Sequence, residues 1–203
     1  MNDDERALID RFWAYRASAF HGADDLFDEV RHTRTRPPVF RREYAEPNVF
    51  VDPDASATDH ARVRATLDER RRHRWFGSMR SSQALTQSVF GNLGVVGRLH
   101  RLANLPADDH EIAFFVDEQG RVQSSHHAVL LYDDRNPAFR TDGAGLKAYD
   151  AIKRALRQPA MLRRCSWQRL VGRLAEDPTL GWLVEALRAK YGLVGRPTGV
   201  PEA

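Results

Sequence analysis

The 203-residue chain carries 31 basic and 28 acidic side chains, a net charge of +3, with 42% hydrophobic and 29% charged residues. Those proportions suit a folded domain with a real core and exclude a disordered or membrane-spanning chain. The single cysteine, Cys165, excludes an internal disulfide and a zinc site built on several thiolates.

The opening, MNDDERALID, is acidic where a secretory leader would be basic and then apolar, so a cytoplasmic protein with no membrane partner is expected. Residues 4–20 place Leu8, Phe12, Tyr15 and Ala19 at helical spacing. Between 31 and 57 the prolines and alternating charges predict an extended arm, with a short strand at Val49–Val51. Residues 59–74 read as a helix with a thin apolar stripe. Seven arginines and three acids fall between 59 and 80, an excess that could track phosphates or simply form a solvated face.

Residues 81–93 form the next expected helix, capped by Ser81 or Ser82, with Leu85, Val89, Phe90 and Leu93 on one side and Gln83 and Gln87 on another. A second short helix is expected over 94–104. IAFFVDEQGRVQ then reads as a hairpin, and HHAVLLYDD as a buried strand over 128–132. Helices are expected at 145–157, at 167–175 behind the cap Ser166, and after Asp177–Pro178. The last of these carries Leu180, Leu183, Val184, Leu187 and Tyr191 inward and stops at Gly192. The predicted fold is α+β: a small central sheet of two to four strands flanked by about six helices. Its organisation is an N-terminal helix and extended arm (1–58), an α+β domain (59–193) and a disordered tail (194–203).

Several chemistries lack their motifs. There is no phosphate-binding GxxxxGK[ST] or GxGxxG, no HExxH and no GxSxG elbow. ADDHE, 107–111, gathers ligand types, but consecutive residues cannot easily converge on one ion, and a polar loop is the plainer reading. His126 and His127 alternate across a strand. Asp133 and Asp134 end a strand, where acids either hold a metal or form a turn. Cys165, after two arginines, is either a reactive thiol or a small half-buried residue before a helix.

SMRSSQALTQSVFGNL (78–93) resembles the signature helix of a bacterial restriction-endonuclease family of the PD-(D/E)XK type. HHAVLLYDDRNPAFR (126–140), MLRRCSWQRLVGRL (161–174) and the closing LGWLVEALRAKYGL resemble later parts of the same proteins. The resemblance covers about half of the chain, carried by the order of its pieces rather than by a catalytic motif. It implies Mg²⁺-dependent cleavage of DNA, with an Asp and a (D/E)-x-K pair holding the metal and the lysine helping to activate water.

The chain has three lysines, and the residues two before Lys147, Lys153 and Lys190 are Gly145, Ala151 and Arg188. No (D/E)-x-K exists in it. Two readings follow. In one, the protein is a catalytically degenerate relative that binds DNA through Arg71, Arg72, Arg74 and Arg80, or a truncated remnant with no retained activity. In the other, it is an active nuclease with a migrated site, Mg²⁺ held among Glu111, Asp117 and Asp133 with Gln83 in support. Neither reading specifies the DNA target or the oligomeric state.

Overall fold

The computed structural model describes residues 2–28, 34–67, 69–102, 112–116, 129–131 and 161–195. The chain divides into two units, Met1–Asn92 with Gly181–Leu193, and Leu93–Leu180 with Val194–Ala203.

The first unit begins with α1 (Asp3–Ala19), capped by Asn2, whose side chain accepts from the Glu5 amide at 2.8 Å. Asp3, Asp4 and Glu5 in the first turn and Arg16 in the last complement the helix dipole. Ile9 and Phe12 are the buried pair, while Ala19 is exposed, so the inward stripe is rotated from the one that spacing predicts. Phe12 meets the ring of Tyr191 edge-on at 5.6 Å, which docks α1 against α6 (Gly181–Tyr191).

The proline-rich segment is packed rather than extended. Phe40, Ala45, Asn48 and Val49 are buried; two short 3-10 turns, Arg42–Tyr44 and Glu46–Asn48, come first, and the strand expected at Val49–Val51 does not form. Phe27 and Phe40 stack at 4.4 Å with Phe20 edge-on to both, an aromatic cluster that gives the expected arm a packed core.

Helix α2 (Ala57–Ala65) starts at the cap Ser56 and ends well before Arg74. The Thr66 hydroxyl donates to the Val63 carbonyl at 2.6 Å, and beyond it only a single turn forms, over Glu69–Arg71. The run of adjacent arginines offers like-charge crowding and no apolar face to continue the helix. The helix expected over 81–93 runs as α3 (Ser82–Thr86), a wide π-helical turn (Gln87–Gly91) and α4 (Asn92–Val95). Ser81 caps it through the Ala84 amide.

In the second unit, β1 (Ile112–Val116) pairs antiparallel with β2 (Val129–Leu131) and β3 (Met161–Cys165), in the order β2-β1-β3. The strand β3, which ends at Cys165, was not expected. Helix α5 (Trp167–Ala175) follows, capped by Ser166 and burying Trp167, Leu170, Val171 and Leu174. The segment 94–104 contains a 3-10 turn, Leu99–Leu102, after α4. The 121–123 arm of the expected hairpin and the helix expected at 145–157 lie outside the described residues.

The α+β expectation is therefore corrected. The described chain is mostly helical, and the described residues of the first unit contain isolated bridge pairs, Phe27↔Phe40 and Val39↔Ser78, but no strand. Apolar runs such as IAFFV suggested a sheet as the organising layer, whereas the described cores are built from helix faces and aromatic turns. No helix among the described residues is long and apolar enough to cross a membrane.

Candidate nucleic-acid interface

The arginine-rich segment enters the first unit through a tight turn at 73–78. Phe76 donates to the His73 carbonyl at 2.9 Å and Ser78 to the Trp75 carbonyl at 3.0 Å, while the Phe76 ring is buried. The Asn48 side-chain amide donates to the carbonyls of Phe76 and Ser78 at 2.6 and 2.8 Å. On the other side Phe40 donates to the Gly77 carbonyl, and Met79 to that of Pro38. A Cβ on Gly77 would lie 2.6 Å from the Phe40 carbonyl oxygen, so only glycine lets the two backbones approach this closely.

On the outside of this fixed turn is Trp75, 55% exposed, with the Arg74 guanidinium 5.0 Å from its ring centroid. A cation over an indole face is favourable and orients both groups. Trp75 was not singled out by sequence, because adjacency to arginines does not reveal which way a ring points.

The predicted arginines separate. Arg74 is exposed, with no carboxylate partner among the described residues. The Arg72 side chain is largely buried, 4.5 Å over the Phe76 ring and 3.7 Å from Glu69. Arg80 pairs with Glu5 at 2.8 Å, and that hydrogen bond holds the Glu5 carboxyl below its ordinary value. Arg71 is the last residue of the Glu69–Arg71 turn, which the Arg72 amide closes by donating to the Glu69 carbonyl at 3.1 Å. Nearby, Arg62 pairs with Asp59 and Arg64 with Glu46.

His73, Ser81 and Gln83 meet beside the turn. The Gln83 side-chain oxygen accepts from the His73 amide at 2.9 Å, so this predicted catalytic support braces backbone. The Trp75 amide donates to His73 Nδ1 at 3.0 Å, which assigns the ring proton to Nε2, 3.4 Å from the Ser81 hydroxyl. Desolvation holds His73 below the usual imidazole value. In that tautomer the imidazole is a donor toward Ser81 and cannot take its proton. The pair therefore closes a helix cap rather than activating a nucleophile.

Further along the same helix Gln87, Ser88 and Asn92 reach backbone groups, while the buried Thr86 hydroxyl and Gln87 Oε1 have no hydrogen-bond partner among the described residues. Gln87 donates to the carbonyls of Val63 and Arg64 at 3.1 and 2.9 Å, capping the C-terminal end of α2. Ser88 accepts from the Phe50 amide and donates to the Ala84 carbonyl. Asn92 donates to the carbonyls of Phe50 and Ser88. Ser88 and Asn92, four residues apart, thus satisfy both backbone groups of Phe50, as a neighbouring strand would.

The other predicted catalytic residues, Glu111, Asp117 and Asp133, lie outside the described residues, as do His110, His126, His127 and Asp134. The register pairs Ile112 with Leu131 at one end of β1 and Val116 with Met161 at the other. Those ends are about 13 Å apart at strand rise. Among the described residues no three His, Cys, Asp or Glu side chains converge.

The least expected polar group is Lys190, 1% exposed. Its ammonium donates to the Asn48 backbone carbonyl at 3.0 Å and side-chain oxygen at 2.6 Å. It also lies 5.0 and 5.1 Å from the rings of Phe50 and Tyr191. Burial pushes Lys190 down to about 7. The sequence held a signal for it: residue 190 is seven after Leu183 and three after Leu187, on the inward face of α6.

Compared with protein-family profiles, curated proteins and solved structures, the chain matches none of them.

Proposed function

We propose that this protein is a catalytically degenerate, DNA-binding relative of the restriction-endonuclease-like proteins. The observation that carries the binding half is the exposed Trp75 with the Arg74 guanidinium over it, on a backbone turn fixed from both sides. A cation and an exposed aromatic ring are what phosphate and base require of a protein surface. The degenerate half rests on the absence of (D/E)-x-K. It is supported by the use of Gln83, Gln87, Ser88 and Asn92 to hold backbone groups.

The test is fluorescence anisotropy with labelled DNA at low salt, run beside a cleavage assay with Mg²⁺ and Mn²⁺. The expected result is salt-sensitive binding that Arg74→Gln weakens, with the DNA left intact. No binding at low salt would defeat the binding half. Metal-dependent cleavage that Asp133→Ala abolishes would defeat the degenerate half in favour of an active nuclease.

A further inference from the structure

We infer that the DNA this surface takes is an unpaired strand, with a base stacked on Trp75; the inference rests on the DNA-binding reading above and deepens it. In a duplex each base face is already covered by its neighbours, so an exposed indole gains a stacking partner only from an unpaired base. Duplex binding relies instead on a row of cations set against successive phosphates. That row is poorly supplied here: Arg62, Arg64, Arg72 and Arg80 each have a carboxylate within 4 Å, at Asp59, Glu46, Glu69 and Glu5. Beside these pairs, the exposed Arg74 guanidinium lies over the exposed Trp75 ring.

The platform is also preorganised. The turn that carries Trp75 is held by Asn48, Phe40 and Pro38 through backbone carbonyl and amide contacts, and its next residue, Phe76, is in the core. A ring on a fixed backbone loses little further freedom when a base settles on it, and that reduction in ordering cost favours binding. Arg74 completes the site as the contact for the phosphate next to the stacked base.

The experiment compares one labelled oligonucleotide sequence in single-stranded and duplex form, against the full chain and its Trp75→Ala, Trp75→Phe and Arg74→Gln variants. The single strand is expected to bind roughly tenfold or more tightly than the duplex. Trp75→Ala should weaken single-strand binding by about tenfold or more, as loss of a stacked base does, with Trp75→Phe keeping most of it. The salt dependence should be shallow, a log–log slope of about −1 for one or two phosphates. Because Trp75 is exposed, the alanine variant should melt with the wild type. Binding that prefers duplex, or that Trp75→Ala leaves unchanged, overturns this inference while leaving the DNA-binding reading standing. No binding of either form overturns both.

Discussion

Lys190 donates its ammonium to the side-chain oxygen of Asn48 at 2.6 Å, across 142 residues of sequence. Asn48 passes the connection on, giving its amide hydrogens to the carbonyls of Phe76 and Ser78. One buried amide thus ties the last helix of the first unit to the turn that presents Trp75. The ammonium has no carboxylate partner among the described residues; two oxygens of Asn48 and two ring faces stand in for one.

Asn48→Leu removes the shared junction and leaves two backbone carbonyls and one buried ammonium short of partners. The expected loss is about 3–5 kcal/mol in denaturant unfolding, the scale of a broken buried charged hydrogen-bond network. A loss below about 1 kcal/mol would show that the junction is not fixed as described.

Stability should depend on pH through Lys190. Its value falls from the model-compound 10.5 to about 7 in the folded protein. Between those values the unfolded chain binds the extra proton, so stability rises with pH from about 7 toward 10 and levels off below 7. Tyr191, raised by burial and by its neighbour Tyr15, and Tyr15, raised by burial, act oppositely once pH exceeds the ordinary tyrosine range near 10. The measurement is a denaturation series from pH 6 to 10 on the wild type and Lys190→Met. The rise should be of order 5 kcal/mol in the wild type and be lost in the variant.

Gly77→Ala should destabilise by roughly 2 kcal/mol or more, because its Cβ would meet the Phe40 carbonyl oxygen at 2.6 Å. The backbone must shift there, and the Phe40 amide bond to the Gly77 carbonyl shifts with it. Thermal unfolding reads the loss directly.

Two changes separate structural from catalytic roles on the helix that begins at α3. Ser81→Ala removes the cap on the Ala84 amide and should cost about 1 kcal/mol. Gln87→Leu leaves the carbonyls of Val63 and Arg64 without that donor and should cost about 1–3 kcal/mol. Both should leave DNA affinity within about twofold in an anisotropy titration, since neither side chain is part of the Trp75 surface.

Local features were legible in the residues. Helix α5 has the cap and the inward Trp167, Leu170, Val171 and Leu174 that spacing predicts. Gly192, at φ 69°, ends α6 where the sequence places its stop. Of the two candidate caps Ser81 and Ser82, Ser81 takes the cap of α3. The missing (D/E)-x-K is likewise a fact of sequence alone. Caps, stops and helical stripes depend on residues within about four positions of one another, so the chain states them directly.

The rest was set by partners distant in sequence. The MLRRC strand has little apolar periodicity of its own, and its pairing with IAFFV supplies the strand geometry. The arginine excess allowed either a phosphate track or a solvated face, and folding set Glu5, 75 residues from Arg80, and Glu46 against parts of it. Gln83, Gln87, Ser88 and Asn92 have the chemistry of a site, and folding aims them at backbone. Composition decided which groups were present; only tertiary structure decided which would meet, because a hydrogen bond or ion pair requires two groups within a few ångströms, and sequence separation does not measure that distance.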